Sequence, residues 1–235
     1  MRLKPLPVLL AVAALVAGAA TGLAQDRTGI NIDPVAIGTP GAVTAFVLAQ
    51  DLYRIGLAGK DALMVLTAAR LAASADMTEG KAGVPEIKKQ TTGKATSDDA
   101  GAADTPLDAA AMMAQAKELA GEDETILALI DLAEVEGVQG GPGGAIRRLS
   151  HLPAGMTDVW EVPFAGHSLA EVAVVGDGDA NLDVRITDEN GNPICIDVSG
   201  SDRVICDFVP AWNGYFQISV HNTGDRRNSY HLITN

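Results

Sequence analysis

Gly176–Cys195 reads GDGDANLDVRITDENGNPIC. An Asp/Gly loop feeds a run in which Leu182, Val184 and Ile186 alternate with Asp183, Arg185 and Thr187, and an Asn-Gly turn closes it. A period of two bounded by turn residues is the pattern of a half-buried strand. The same period runs on both sides, in Trp160, Val162 and Phe164, in Ala170, Val172 and Val174, in Phe216, Ile218 and Val220, and in Tyr230 and Leu232. Short strands at roughly ten-residue spacing predict an antiparallel, jelly-roll-like β-sandwich over residues 151–235.

The two cysteines, Cys195 and Cys206, both lie in this region. An isolated pair at this separation reads as a disulfide formed in an oxidising compartment; a zinc site needs more ligands. Both are equidistant from Gly200-Ser201, and Gly first in a two-residue loop is the type II′ signature. The expectation is therefore a hairpin with the cysteines directly opposed, Cα atoms ~4.5–5.5 Å apart.

A resemblance follows from the order of several short motifs. These are Thr157-Asp158-Val159-Trp160, then Gly176-Asp177-Gly178-Asp179 with Asn181-Leu182-Asp183-Val184, then Asp188-Glu189-Asn190-Gly191-Asn192-Pro193. Pro210 with Gly214-Tyr215-Phe216 comes next, and Val220-His221-Asn222 precedes Asn228-Ser229-Tyr230-His231-Leu232. From Gly155 onward, about 80 residues, the chain resembles the bacterial pre-peptidase C-terminal domain family, a secreted β-sandwich. That module usually follows a secreted peptidase or another hydrolase. Here it follows an Ala-rich helical part in which no family is recognised. The resemblance thus implies a fold and an extracytoplasmic setting, not a peptidase activity.

Residues 1–24 read as a secretory signal: Arg2 and Lys4 precede the apolar run Val8–Ala20, with small residues before Gln25. That run is too short to span a bilayer of ~30 Å. Residues 25–38 are a polar segment, and 39–136 read as a helical domain. Thr39-Pro40 is a cap followed by proline; Gly59 and Asp61 close one helix and open the next. Thr105-Pro106-Leu107-Asp108 repeats the device before a second pair of helices, with Met112 and Met113 as packing residues. Between the pairs, residues 77–104 hold almost no large apolar side chains and read as a disordered linker, a tether or a protease-sensitive loop. Residues 137–150, with GVQGGPGG, read as a glycine-rich linker without phosphate-loop spacing. The fold class is α+β multidomain: a small all-α helical bundle followed by the sandwich.

The net charge of −13 argues against nucleic acid and against anionic lipid surfaces. There is no HExxH, no GxSxG and no candidate catalytic cysteine. Two binding features stand out. Asp177, Asp179, Asn181, Asp183 and Asp188 concentrate the oxygen donors that Ca²⁺ takes. Leu182 occupies the position where an EF-hand loop needs Gly, so the alternative is a solvated turn. Trp212 and Tyr215, with Tyr230, are candidates for an aromatic binding surface, the alternative being core plugs or corner residues, the reading favoured for Trp212. The functional expectation is a secreted or periplasmic, non-enzymatic binding or scaffolding protein that contacts a protein or an envelope polysaccharide. The second expectation is an accessory factor for a secreted hydrolase, aiding its folding, secretion or substrate attachment.

Overall fold

The computed structural model describes residues 27–36, 38–39, 41–75, 77–80, 87–99, 101, 108–136 and 144–235. The expected signal, Pro40, Thr105-Pro106-Leu107 and residues 137–143 of the expected glycine-rich linker lie outside these residues. The rest of that linker, read to residue 150, is instead strand from Ala145 onward. In chain order the elements are helices α1 (Ala42–Gly59) and α2 (Ala62–Ser74), strands β1 (Met77–Glu79) and β2 (Lys88–Ser97), then helices α3 (Ala109–Ala120) and α4 (Glu124–Glu136). Strands β3 (Ala145–Leu152), β4 (Ala154–Phe164), β5 (Ala170–Val175) and β6 (Leu182–Thr187) follow. The chain continues with β7 (Pro193–Asp197), β8 (Arg203–Phe208), β9 (Gly214–Asn222) and β10 (Asn228–Thr234).

The strands form two five-stranded sheets, β1-β3-β10-β5-β8 and β2-β4-β9-β6-β7, antiparallel except for the β1–β3 pair. The alternating side chains meet between them. Trp160, Val162, Phe164, Val172, Val174, Leu182, Val184, Ile186, Phe216, Ile218, Val220, Tyr230 and Leu232 are all buried in one core. Every residue of β5 and of β10 is buried, because these two strands are covered on both faces. Their outward residues Ala173, Val175 and Ile233, with Ala145 of β3, belong to a second core made with the helices. One sheet is therefore a shared wall between sandwich and helices.

Local chemistry explains the helices. Asp61 accepts from the Met64 N–H at 2.9 Å and is the N-cap its position predicts. Asp108 accepts from the Ala111 N–H at 2.8 Å and is itself the N-cap of α3, whereas the sequence pattern places the cap at Thr105 and Asp108 inside the first turn. α1 differs: its cap residue is Gly41, with no side-chain bond of its own. The buried Glu171 of β5 serves instead, accepting from the Gly41 N–H at 3.0 Å, the Thr44 N–H at 3.3 Å and the Thr44 hydroxyl at 2.6 Å. A carboxylate at a helix N-terminus satisfies orphan donors and complements the dipole, and here it pins α1 to the sheet. The helices pack through small side chains. A Cβ on Gly56 would stand 2.9 Å from Val65 Cγ2, so glycine permits the close α1–α2 approach.

The segment read as a disordered linker contains two strands. β1 pairs with β3 in parallel, and β2 pairs with β4 over Lys88↔Glu161 to Gly93↔Met156. β2 has almost no apolar residue because what it covers is polar. Asp158, fully buried on β4, receives the Lys89 ammonium at 3.0 Å, the Thr91 hydroxyl at 2.5 Å, the Ser150 hydroxyl at 2.6 Å and the Tyr230 hydroxyl at 2.7 Å. Trp160 Nε1 donates in turn to the Tyr230 oxygen at 2.7 Å. Tyr230 is wholly buried in this network and supplies no exposed aromatic surface.

Cys195 and Cys206 form a disulfide with Cα atoms 6.4 Å apart, but not across a hairpin. β7 pairs with β6 in one sheet (Ile186↔Cys195), and β8 pairs with β5 in the other (Val172↔Cys206). The segment 198–202 crosses between sheets, because inward-facing Val204, Cys206 and Phe208 extend the core from the β5 side. The bridge clasps two sheet edges. Among the described residues no helix is long and apolar enough to cross a membrane.

Candidate binding cleft

Residues 27–36 are part of the sandwich and strap one of its ends. Asn31, fully buried, holds the main chain of Trp212 from both sides: its Oδ1 accepts from the Trp212 N–H at 3.0 Å and its Nδ2 donates to the Trp212 carbonyl at 3.2 Å. The Asn31 N–H donates to Asp188 Oδ2 at 2.9 Å, and the Asp33 N–H to the Val209 carbonyl at 2.7 Å. Asn190 Nδ2 donates to the carbonyls of Arg27 at 2.7 Å and Gly29 at 3.0 Å. Three segments remote in sequence, the strap, the β6–β7 turn and the loop before β9, are tied together by amide side chains.

Asp188 is the anchor of the turn. Its carboxylate also accepts from the N–H groups of Asn190 and Asn192 and from Asn192 Nδ2, at 2.8–2.9 Å. Burial pushes this carboxyl up, but the Asn192 side chain with the Asn31, Asn192 and Asn190 N–H groups outweighs it and holds Asp188 below the ordinary carboxylate value. Glu189 points the other way. It accepts from Asn31 Nδ2 at 3.2–3.3 Å and from Trp212 Nε1 at 2.5 Å. A Cβ on Gly214 would lie 2.6 Å from Asn31 Nδ2 and 2.8 Å from Glu189 Oε2, so a larger residue there would push the Asn31–Glu189 contact aside.

These ties shape a cleft of about 550 Å³ lined by Arg27, Pro163, Phe164, Glu189, Asn190, Asn213, Gly214 and Tyr215. The Phe164 ring meets those of Phe208 and Phe216 edge-on, each at 5.7 Å, so a packed aromatic cluster lies beneath the cleft. Tyr215 is 53% exposed and stands at the cleft. Trp212 and Tyr215, the two candidates for an aromatic surface, come to the same end of the molecule. Trp212 supplies a fixed support for Glu189, and Tyr215 the open aromatic face. Arg27, Glu189, Asn190 and Asn213 were not singled out as binding residues in the sequence. Nothing local could single out Asn31, whose bond to Asp188 joins residues 157 apart.

The expected calcium ligands do not converge. Asp188 is at the strapped end, and Asp177 and Asp179 lie beyond the other end of β6, about 20 Å of strand away. Asp177 accepts from the Ser229 N–H at 2.7 Å and the Asp179 N–H at 3.1 Å. Burial, reinforced by the like charge of Asp179, raises its carboxyl against those donations. Asn181 Nδ2 donates to Asp183 Oδ1 at 3.0 Å and to Thr223 Oγ1 at 2.6 Å, so that part of the loop is built as a self-bonded turn. Among the described residues no three His, Cys, Asp or Glu side chains gather as a metal-holding group.

Two hydroxyl–imidazole pairs occur. His151 Nδ1 meets Ser229 Oγ at 2.9 Å, but Ser229 is fully buried. His221 Nδ1 meets Thr157 Oγ1 at 2.9 Å and the Met156 carbonyl oxygen at 3.0 Å. The same ring nitrogen thus lies between a hydroxyl and a carbonyl oxygen.

No family model matches the chain, and no curated protein matches it. Among solved structures there are matches. The chain is similar to a pre-peptidase C-terminal domain. That domain belongs to a collagenase from Bacillus anthracis, with 10% identity and a TM-score of 0.24, covering 40% of this chain and 79% of that one. Another match is the C-terminal CBM6 of LamC, a marine laminarinase from Zobellia galactanivorans, with 12% identity and a TM-score of 0.21, covering 37% of this chain and 88% of that one. The Cys195–Cys206 disulfide is the kind of bond that forms and persists in an oxidising, extracytoplasmic environment.

Proposed function

We propose that this is a non-catalytic binding protein of the periplasm or the extracellular space, and that it holds a polysaccharide in the cleft at the strapped end of the sandwich. The observation that carries this reading is Tyr215, half exposed, beside a carboxylate and amides in one open cleft. A sugar ring offers an apolar face for stacking and a rim of hydroxyls that need both donors and acceptors. Tyr215 supplies the first; Glu189, Asn190, Asn213 and Arg27 supply the second. Glu189 is already oriented by Asn31 and Trp212, which lowers the ordering cost on binding. The burial of Ser229 beside His151 supports a role without catalysis.

The test is affinity electrophoresis through gels containing soluble β-glucans, with pull-down on purified peptidoglycan sacculi alongside. Retardation or retention is expected for the native chain. It should be lost for Tyr215→Ala and Glu189→Ala, with the melting temperature of Tyr215→Ala unchanged because that ring is exposed. Failure of every polymer to retain the chain, together with recovery of a hydrolase from the envelope fraction, would replace this reading with that of a hydrolase accessory.

A further inference from the structure

The α3–α4 hairpin, remote in sequence from every residue of the cleft, presents a second surface. α4 is apolar around most of its circumference, a pattern suited to a helix covered on all sides. Its Ile130 and Ala133 are indeed buried against the helical core. Leu129, Leu132 and Val135 are not: they are 40%, 50% and 85% exposed. At 100° per residue these three positions span about a third of the helix circumference and form one continuous stripe. Scattered single apolar residues on a surface are ordinary, but a row of three large ones along one helix face is not.

The surroundings of the stripe are strongly acidic. Residues 117–136 hold seven Asp and Glu against one lysine, Lys117. Lys117 is shared between Asp131 and Glu134 at 3.5 Å each, both flanking the stripe on α4. A second copy would bring the same negative charge to the contact, on a chain whose net charge is already −13. A cationic partner is attracted by that field. We propose that the exposed face of α4 docks a cationic amphipathic helix of another protein, its apolar side on Leu129, Leu132 and Val135 and its Lys or Arg residues toward Asp131 and Glu134. The 13 residues of α4 extend about 20 Å, which matches an occupant of three to four turns.

The experiment uses the full chain and a fluorescein-labelled peptide helix about five turns long, with leucine on one face and lysine on the flanks, read by fluorescence anisotropy. Saturable binding that weakens with added salt is expected. Affinity should fall on the order of tenfold for Leu132→Ser with Val135→Ser, from the lost apolar burial. A comparable loss is expected for Asp131→Lys with Glu134→Lys. Leu48→Ser with Ile55→Ser, which alters exposed apolar residues of α1 instead, should leave binding unchanged. Circular dichroism checks that each variant keeps the fold. The proposal is overturned by an absence of binding, by equal binding to all variants, or by equal binding of a peptide with glutamate in place of lysine. It is also overturned if sedimentation shows a dimer, or if anionic vesicles bind the chain, and the Leu132→Ser/Val135→Ser change abolishes either.

Discussion

At the scale of single residues, two buried ionisable groups connect the sheets to the rest of the molecule. Glu171 is 1% exposed, and its carboxylate takes the place of a cap at the start of α1. Glu171→Gln keeps the shape but loses the negative charge at the helix N-terminus and turns an acceptor into a donor. A loss of about 1–2 kcal/mol is expected in urea unfolding, with a larger loss for Glu171→Ala, which leaves the Gly41 and Thr44 donors unpaired. His231 lies on the helix-facing side of β10, opposite Leu149 and Val175. Burial, with the Arg147 charge adding to it, lowers its pKa to about 4. The unfolded chain takes up that proton near pH 6.5, while the folded chain resists until about pH 4. Stability is therefore full above pH 6.5 and declines between those two values, by at most about 3 kcal/mol. In His231→Leu the decline over that window should shrink, as read from urea midpoints at a series of pH values.

At the scale of elements, β2 is a ten-residue strand exposed at nearly every position. Apolar burial does not hold it; its ladder to β4 and the approach of Lys89 and Thr91 to Asp158 do. Removing the cation leaves a buried carboxylate served by hydroxyls alone. Since Lys89 is about a third exposed, solvent screens part of that interaction. Lys89→Met should cost about 1–3 kcal/mol, and amide exchange across 88–97 should rise toward that of a loop while β9 stays protected. Asp158→Asn added to Lys89→Met should recover part of the loss; a simple sum of the two effects would mean that the pair is not coupled. The strand escaped the sequence reading for this same reason. A strand that faces a buried charge offers no alternation of apolar and polar residues, and its Lys, Thr and Gly content matches that of a linker.

At the scale of the whole molecule, helices and sandwich share the β1-β3-β10-β5-β8 sheet as a common wall, with Ala145, Ala173, Val175 and Ile233 turned toward the helices. A fragment of residues 144–235 keeps eight of the ten strands, yet it loses β1, β2, the Asn31 strap and the helical cover. It should bind ANS and show broad, non-cooperative thermal unfolding, whereas the full chain unfolds in one transition. A sharp transition with low ANS binding would show instead that the sandwich is self-sufficient. The sequence by itself determined the strand period of 2, the helix start at Asp61, and the pairing of Cys195 with Cys206. Each follows from neighbours a few residues apart or, for the cysteines, from there being no other partner. Tertiary structure alone decided that the disulfide joins two sheets, that residues 88–97 are a strand, that Glu171 caps α1, and that Asn31 closes the cleft on Glu189 and Trp212. In these cases a polar side chain finds its partner from a distant part of the chain, and hydrogen bonds between remote residues leave no period and no spacing in the sequence to read.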